Sequence, residues 1–268
     1  MLSLKEASKL LSSSKERKDN GLFIVEGKKM VSEALEIPGA VYCLFMSESF
    51  SLEDNGRELF SSCKETDIDV SIVPDSSLKK VSELVTPEGV MAAVRTDEIG
   101  KTLKARSESS LSKGFPMLFL EDLQDPGNLG TIIRTAEAAG VSGIVLSKGC
   151  VDPFSPKVVR ATMGSIFRTP VFKCASTEDF YDLIPKKRQE GYSFYAAALS
   201  GKRSYTDIIY GKKAAFLIGN EGNGLSERAV SACDEEMLIP MEGKAESLNA
   251  AVAAAVIMFE AKRQRGKL

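Results

Sequence analysis

Two segments late in the sequence each run from a short apolar stretch into a loop of glycine or small polar residues. They cover residues 218–225 and 239–249. Glycine lets the backbone approach a ligand closely, and adjacent strand ends with such loops form the ligand crevice of open α/β sheets. Gly219, Gly222 and Gly224 lack the spacing of a dinucleotide fingerprint, and the loop lacks the lysine of a phosphate-binding loop. The two segments predict an α/β fold with a crevice for another kind of ligand.

A third segment with a related pattern lies upstream. Residues 115–120 have the pattern of a buried strand, and residues 129–139 that of a short helix. Asn128 is a suitable N-cap for this helix, and Gly140 follows its last residue. The pattern therefore places Asn128 at the mouth of the helix and Arg134 nearly two turns further along.

Strand-like and helix-like stretches alternate through the second half of the chain. This alternation predicts an α/β fold with a mostly parallel sheet and helices on both faces. The expected strands cover residues 115–120, 142–147, 169–173, 192–197, 214–218 and 236–240, and the expected helices cover residues 129–139, 156–163, 176–190, 225–232 and 249–265.

The first part of the chain has the pattern of a separate, small α/β or α+β unit. Residues 98–114 are polar and rich in serine, which is typical of a linker. We therefore predict an N-terminal domain over residues 1–97 and a C-terminal domain over residues 115–268. The N-terminal domain should contain strands 23–25, 41–46, 70–73 and 89–94 and helices 4–14, 26–36, 53–66 and 76–84.

The composition argues against several classes of site. The chain has no histidine, which excludes a histidine general base and leads us to predict no metal. Its five cysteines have no CxxC spacing, and it has neither an apolar run of membrane length nor the apolar core of a signal peptide. We expect a cytoplasmic protein with no membrane partner. The net charge of −2 leaves only local basic clusters as candidate contacts for nucleic acid.

The three blocks, in this order, resemble the three motifs of the SpoU-type (TrmH-like) ribose 2′-O-methyltransferases of the SPOUT superfamily. The resemblance is specific over residues 115–268 and looser towards the N-terminus. The matching residues are Asn128, Gly130, Arg134 and Thr135 in the first block, Gly219, Glu221, Gly222, Gly224 and Leu225 in the second, and Ile239, Pro240, Met241, Gly243, Ser247, Leu248 and Asn249 in the third.

The resemblance also implies the architecture of both domains. It implies a deep trefoil knot in the C-terminal domain, with crossing loops around residues 199–201, 219–225 and 241–248. Residues 23–27 and 87–94 look like the first and last strands of the family's N-terminal substrate-binding domain. That domain is similar to RNA-binding ribosomal proteins.

The resemblance implies S-adenosyl-L-methionine as the cofactor and assigns site residues. The catalytic candidates are Arg134, Asn128, Glu221, Ser247 and Asn249. The cofactor-binding candidates are Gly219, Ile239, Met241, Leu248, Leu199 and Ile218. Basic residues from the local clusters that could contact RNA are Lys15, Arg17, Lys18, Lys28, Lys157 and Arg160.

Each catalytic candidate also has an ordinary structural interpretation. Asn128, Ser247 and Asn249 could simply cap helices, and an arginine such as Arg134 is usually a surface or ion-pair residue. Glu221 could be a solvated turn residue; in a functional site it would anchor Arg134 or a loop amide. Because arginine keeps its proton, we expect Arg134 to bind and orient a phosphate or ribose oxygen of the target nucleotide.

The sequence therefore predicts an S-adenosylmethionine-dependent RNA ribose 2′-O-methyltransferase. Ribosomal RNA is the expected substrate rather than transfer RNA, because the N-terminal domain resembles that of members directed to ribosomal RNA. The alternatives are a non-catalytic RNA-binding protein with the same fold and a methyltransferase for a base or a small molecule. Residues 250–259 are apolar around the whole helix, which predicts a homodimer through the C-terminal domain.

Overall fold

The computed structural model describes residues 2–112 and 116–266, with the backbone alone described for residues 106–112. The chain forms two compact units. Unit 1 contains Met1–Leu103 and Phe154–Phe167, and unit 2 contains Lys104–Pro153 and Arg168–Leu268. Residues 154–167, which we expected in the C-terminal domain, thus pack with the N-terminal unit. The ends of the predicted linker and of the first predicted strand, at residues 113–115, lie outside the described residues.

Unit 1 is built on a four-stranded mixed sheet in the order β1-β4-β2-β3. Strand β4 is antiparallel to both of its neighbours, and β2 is parallel to β3. The strands are β1 (Leu22–Glu26), β2 (Val41–Ser47), β3 (Asp69–Val73) and β4 (Val90–Arg95). The helices are α1 (Leu4–Ser12), α2 (Ser14–Asn20), α3 (Lys28–Leu35), α4 (Glu48–Leu52), α5 (Asp54–Glu65), α6 (Asp75–Val81) and α7 (Thr96–Ser112), the last of which crosses the boundary between the units.

Apolar side chains of α1 and α6 pack on one face of this sheet. Leu10 and Leu11 of α1 are buried there with Phe45 of β2 and Leu78 of α6. The segment after residue 153 adds helix α9 (Pro156–Thr162) and a short 3-10 helix at Ser165–Phe167, and the rings of Phe154 and Phe167 contact Phe23 of β1.

Unit 2 is a seven-stranded sheet in the order β7-β6-β5-β10-β8-β11-β9, with every pair parallel among the described residues. Its strands are β5 (Met117–Leu120), β6 (Gly143–Leu146), β7 (Val171–Lys173), β8 (Ser193–Ala197), β9 (Arg203–Ser204), β10 (Ala214–Ile218) and β11 (Glu235–Leu238). Its other helices are α8 (Pro126–Ala139), α10 (Thr177–Gln189), α11 (Glu227–Ser231) and α12 (Ala250–Arg265).

Helices cover both faces of the unit 2 sheet, as the sequence predicts. Alternate residues of β5 and β10, such as Phe119 and Leu217, pack with Phe180 and Ile184 of α10. The opposite face carries Phe216, whose ring meets that of Tyr210 at 5.0 Å, and the Tyr210 backbone bonds to Gln264 of α12. Helices α8 and α12 pack against each other.

Two local predictions of secondary structure are wrong, and one strand was not predicted. The predicted linker is mostly helix α7, because Ile99 and Leu103 lie one turn apart and are both buried. Helix 4–14 ends early because the Ser13 hydroxyl accepts the Glu16 amide and starts α2. Strand β9 was not expected; its two residues pair with β11 at the edge of the sheet. No helix in the described ranges is both long and apolar enough to span a membrane.

Candidate active site

A cavity of about 370 Å³ lies at the carboxyl ends of β8, β10 and β11. The loops that follow these three strands and the start of α12 form its wall. This edge of a parallel sheet is where α/β proteins bind ligands, and the volume suits a small molecule. All six residues predicted to bind the cofactor line the cavity: Leu199, Ile218, Gly219, Ile239, Met241 and Leu248.

The glycine loop after β10 folds tightly on itself. A Cβ atom at Gly219 would lie 2.1 Å from the carbonyl carbon of Gly224 and 2.2 Å from the amide nitrogen of Leu225, so only glycine fits there. Gly224 has a φ of 67°, in the left-handed region that favours glycine. Asn220 and Gly224 exchange two backbone hydrogen bonds of 3.0 Å. The loop therefore holds its shape through its own backbone contacts.

Asn220, which sequence reasoning missed, fixes the same loop from within. Its side-chain oxygen accepts the amides of Gly222 at 2.8 Å and Asn223 at 3.1 Å, and its side-chain nitrogen donates to the carbonyl oxygen of Asp122 at 2.9 Å. An asparagine inside a glycine-rich turn is a typical signal for this type of bond. Asn220 thereby ties the loop to the segment that follows β5.

Three of the predicted catalytic residues form one continuous chain of hydrogen bonds. Asn249 Nδ2 donates to Asn128 Oδ1 at 2.9 Å, and Asn128 Nδ2 donates to Glu221 Oε1 at 3.0 Å. At the far end, Asn249 Oδ1 accepts the amides of Ala251 and Val252 and caps α12. A carboxylate can only accept and a helix amide can only donate, so the two ends set the orientation of both asparagine amides. This chain of hydrogen bonds brings one residue from each of the three sequence blocks together.

Glu221 anchors loop amides and not Arg134. Its carboxylate accepts the backbone amides of Gln124 at 3.3 Å and Asp125 at 3.1 Å in addition to Asn128. Burial opposes its ionisation, but these hydrogen bonds prevail and hold the pKa of Glu221 below its ordinary value. Because the folded-state pKa is lowered, this stabilisation is present at neutral pH and is lost as the pH falls through that pKa.

The start of α8 differs from the predicted one. The helix begins at Pro126, and its N-cap is Asp125, whose side chain accepts the Asn128 amide at 2.7 Å. The prediction that Asn128 is the N-cap is therefore wrong. Proline at the first helical position is favourable, and aspartate is a good N-cap. The Asp125-Pro126 pair in the sequence therefore indicated the true start of α8. As a result, the side chain of Asn128 is free to join Asn249 to Glu221.

Arg134 and Ser247 present exposed side chains at different places. Arg134 lies on an exposed part of α8, does not line the cavity, and forms no hydrogen bond or ion pair with residues 2–112 or 116–266. Ser247 lines the cavity from the exposed loop between β11 and α12. An unpartnered guanidinium in this position is available for an external anion.

A buried carboxylate behind the glycine loop was also missed. Glu121 follows β5, is 8% exposed, and accepts the Ser226 amide and the Ser226 hydroxyl, both at 2.8 Å. The hydroxyl of Tyr181 also donates to Glu121. Burial, together with this bond to Glu121, raises the pKa of Tyr181 to about 12. Glu121 is surrounded by donors and touches the loop's last residues rather than the cavity.

The six residues predicted to contact RNA divide into two groups. Lys15, Lys18 and Lys157 are exposed, and Lys28 is partly exposed and donates to Asn55. Two others have internal roles. Arg17 is 6% exposed and donates to the carbonyl oxygens of Leu10 and Leu11, where it caps the end of α1. Arg160 lies 3.2 Å from Glu83 and 3.8 Å from the buried Glu26. Neither arginine is a free cation for a phosphate.

Within the described residues, no group of three or more histidine, cysteine, aspartate or glutamate side chains is placed to hold a metal ion. All five cysteines are free thiols. The polar groups available to a ligand in the cavity are backbone groups, the side chains of serine and asparagine, and one carboxylate, that of Glu221.

Two family models match the chain. The model of the SpoU rRNA Methylase family matches residues 116–259, and that of the MRM3-like substrate binding domain matches residues 3–92. A similar curated protein is the 23S rRNA (guanosine(2553)-2'-O)-methyltransferase RlmP of Bacillus subtilis, 33% identical over 94% of this chain and 92% of that protein. The human mitochondrial rRNA methyltransferase 3 is 31% identical over 94% of this chain and 70% of its own length.

Solved structures resemble the whole fold. The SpoU methyltransferase AviRb of Streptomyces viridochromogenes in complex with the cofactor AdoMet superimposes with a TM-score of 0.85, at 29% identity, over 98% of this chain and 97% of that chain. An AdoMet-bound rRNA methyltransferase from Sinorhizobium meliloti gives a TM-score of 0.83 at 32% identity, over 97% of this chain and 94% of that chain. Together with the family model, which spans the sheet and all three sequence blocks, these relatives establish that the chain belongs to the SpoU rRNA methylase family.

Proposed function

We propose that the protein transfers a methyl group from S-adenosyl-L-methionine to a ribose 2′-hydroxyl of ribosomal RNA. One observation carries this proposal beyond family membership. Every residue predicted to bind the cofactor lines the cavity, and so does Glu221. The hydrogen bonds from Asn249 to Asn128 and from Asn128 to Glu221 link this cavity to α8. A cofactor site and the helix that carries the exposed Arg134 are thus parts of one framework.

The cavity fits the cofactor on chemical grounds. Ile218, Ile239 and Leu248 give an apolar wall for the adenine ring, and the close packing at Gly219 brings backbone groups to the surface of the cavity. The cavity lining contains no lysine or arginine that would select a polyphosphate such as ATP or NAD. The bound cofactor supplies an electrophilic methyl group on a sulfonium. The protein then has to exclude water, align the ribose and accommodate the hydroxyl proton.

Arg134 and Ser247 are the residues that we assign to the RNA side of the reaction. The guanidinium of Arg134 donates to a phosphate or ribose oxygen and so fixes the attacking 2′-oxygen. The Ser247 hydroxyl lies on the wall of the cavity, where it can bond to the ribose. With the cofactor bound, the hydroxyl proton would pass to water or to an RNA phosphate, because the chain has no histidine and the Glu221 carboxylate already accepts backbone amides.

We propose that unit 1 contacts the RNA through four of the predicted lysines, Lys15, Lys18, Lys28 and Lys157. Their side chains are exposed or partly exposed, whereas Arg17 and Arg160 are bonded internally. Lysine contacts to phosphates make binding depend on salt. Cross-linking of these lysines to bound RNA tests the assignment, and no cross-link from any of the four would exclude it.

Methylation of RNA by the purified chain is the direct test of the proposed function. We expect tritium from labelled S-adenosylmethionine to enter total RNA of a strain that lacks the protein, and to map to one 2′-O-methylated nucleotide of ribosomal RNA. Calorimetry should show binding of adenosylhomocysteine but not of NAD or ATP. Labelling of transfer RNA instead would mean that transfer RNA, and not ribosomal RNA, is the substrate. Labelling of a base, or RNA binding without any methyl transfer, would reject the proposed reaction.

We also propose a homodimer that forms through α12. Val252 is 48% exposed and Phe259 46% exposed, and they lie seven residues apart on the same side of this helix. A second copy of the chain that covers this apolar stripe would bury it symmetrically. The double variant Val252→Asp/Phe259→Asp should therefore shift the full-length chain from dimer to monomer in sedimentation at micromolar concentration. Leu52→Asp, at a leucine of unit 1 that is 70% exposed, should not.

We propose domains at residues 1–97 and 115–268, with residues 154–167 of the second packed in unit 1. We also propose an N-terminal domain like that of RNA-binding ribosomal proteins, and a trefoil knot whose crossing loops are those around residues 199–201, 219–225 and 241–248. The three loops border one cavity, which favours the knot, and an experimental trace of the backbone would test the threading. The free thiols favour a cytoplasmic location, and fractionation of cells would test it.

A further inference from the structure

A second layer of contacts holds the glycine loop from the side that faces away from the cavity. The loop begins at Gly219, directly after β10, and ends at Ser226, which caps α11. Asn220 and Glu221 fix its first half through bonds to the segment after β5. The second half, with Gly224 and Leu225, lines the cavity and packs against Gly219. What fixes the second half therefore shapes the cavity wall.

Glu121 holds this second half from outside, in addition to the backbone bonds between Asn220 and Gly224. Its own amide donates to the Ile218 carbonyl oxygen at 2.9 Å, so its backbone is locked beside the last residue of β10. Its carboxylate accepts both the amide and the hydroxyl of Ser226. One residue thus clamps the two ends of the loop, across 105 positions of sequence. Glu121 does not line the cavity, so any effect on a ligand acts through the loop.

The Glu121 carboxylate is surrounded by hydrogen-bond donors. Three donors lie within hydrogen-bond distance of its two oxygens: the Ser226 amide, the Ser226 hydroxyl and the Tyr181 hydroxyl. The two hydroxyls also lie 2.9 Å from each other, where either can be the donor. The guanidinium of Arg228 lies 3.9 Å from the centre of the Tyr181 ring and is paired with Glu178. A carboxylate buried to 8% exposure costs folding free energy unless donors satisfy its oxygens, and here the donors are in place.

We infer that Glu121 is a positioning residue that shapes the cofactor site by clamping the glycine loop through Ser226. The inference rests on the proposed function, because the ligand it concerns is the cofactor of that reaction. It predicts that loss of the carboxylate weakens the binding of every cofactor analogue to a similar extent, charged or neutral, because the fault lies in the shape of the loop.

Glu121→Gln is the sharpest variant. Glutamine keeps the size of the side chain, and its carbonyl oxygen can still accept the Ser226 amide. Its NH2 group, however, would face the hydroxyls of Ser226 and Tyr181, which could then no longer donate to this position. Loss of a hydrogen-bond acceptor for buried donors is worth about a ten- to hundredfold change in an equilibrium. We expect the Kd for adenosylhomocysteine, measured by calorimetry on the full chain well below its melting temperature, to rise by about that factor at a stoichiometry near one.

Three comparisons separate positioning from simple loss of stability. Glu260→Gln removes a carboxylate of the same 8% exposure that bonds to Arg263 and Gln264, outside the cavity lining, and should leave Kd unchanged. Sinefungin, a cationic analogue, should lose affinity to the same degree as neutral adenosylhomocysteine. Ser226→Ala, which retains the amide bond, should raise Kd by a smaller factor and serves as the deciding variant should Glu121→Gln fail to fold.

The outcomes are distinct. Wild-type Kd in both Glu121→Gln and Ser226→Ala, or a lower melting temperature with unchanged Kd, would overturn the clamp. Loss of sinefungin binding alone would also overturn it, because that pattern means direct electrostatic attraction. If the wild-type chain itself binds no adenosylhomocysteine, the proposed function fails instead, and the two failures are told apart by this first measurement.

Discussion

Arg134→Ala should reduce methyl transfer by about a hundred- to a thousandfold or more while the Kd for adenosylhomocysteine stays within a few-fold of wild type. Removal of one preorganised donor to the reacting group typically has an effect of this size on turnover. Cofactor affinity is spared because Arg134 does not line the cavity and bonds to no described residue. Single-turnover methylation with saturating cofactor, combined with calorimetry, measures the two effects separately.

Two variants control for this result. Thr131→Ala changes an exposed residue one turn earlier on α8 and should leave turnover unchanged. Arg134→Lys keeps the positive charge but lacks the planar fork of donors, so it should recover only a small part of the activity. Near-normal turnover in Arg134→Ala would mean that Arg134 is a surface residue, and the catalytic assignment would be withdrawn.

The sequence predicted the elements of unit 2 well because their signals are local. Short apolar stretches marked β5, β6, β8, β10 and β11, and each observed strand lies within or next to its predicted range. The glycine loop and the block before α12 were informative for the same reason: spacing within about ten residues limits what the backbone can do. The positions of Gly219 and Leu248 on one cavity wall follow from that local information and the parallel sheet.

The errors arose where a partner lies far away in the sequence. Arg160 reads as a solvated helix residue, but its partner Glu83 lies 77 positions away. Glu121 reads as an ordinary charged residue after a strand, but Tyr181 and Ser226 lie 60 and 105 positions away. Helix α7 was hidden because its sequence is mostly polar; over residues 96–105, the part of α7 whose side chains the structure describes, Ile99 and Leu103 are the buried ones. Burial of single charged side chains cannot be read from a pattern along the chain.

Gly219→Ala should abolish detectable binding of adenosylhomocysteine, with Kd raised by about a hundredfold or more. The added Cβ would lie 2.1 to 2.3 Å from three backbone atoms of Gly224 and Leu225, and backbone cannot move aside as a flexible side chain can. The turn must therefore open, and the paired backbone bonds of Asn220 and Gly224 must lengthen or break. Overpacking of this kind costs about 1–3 kcal/mol. Substitution of Gly219 therefore deforms the loop itself as well as adding bulk at the wall of the cavity.

Gly243→Ala is the matched control for this variant. Gly243 lies in the loop between β11 and α12, and a Cβ there would have nothing within 4 Å. Both variants replace a glycine with alanine in a loop near the cavity, yet only the first should lose the ligand and a few degrees of melting temperature. A folded Gly219→Ala protein with wild-type affinity would show that the loop can open without cost. The close packing of Gly219 against Gly224 is what would make this part of the cavity wall a preformed surface for the cofactor. Wild-type affinity in Gly219→Ala would therefore show that the cofactor does not need a preformed wall.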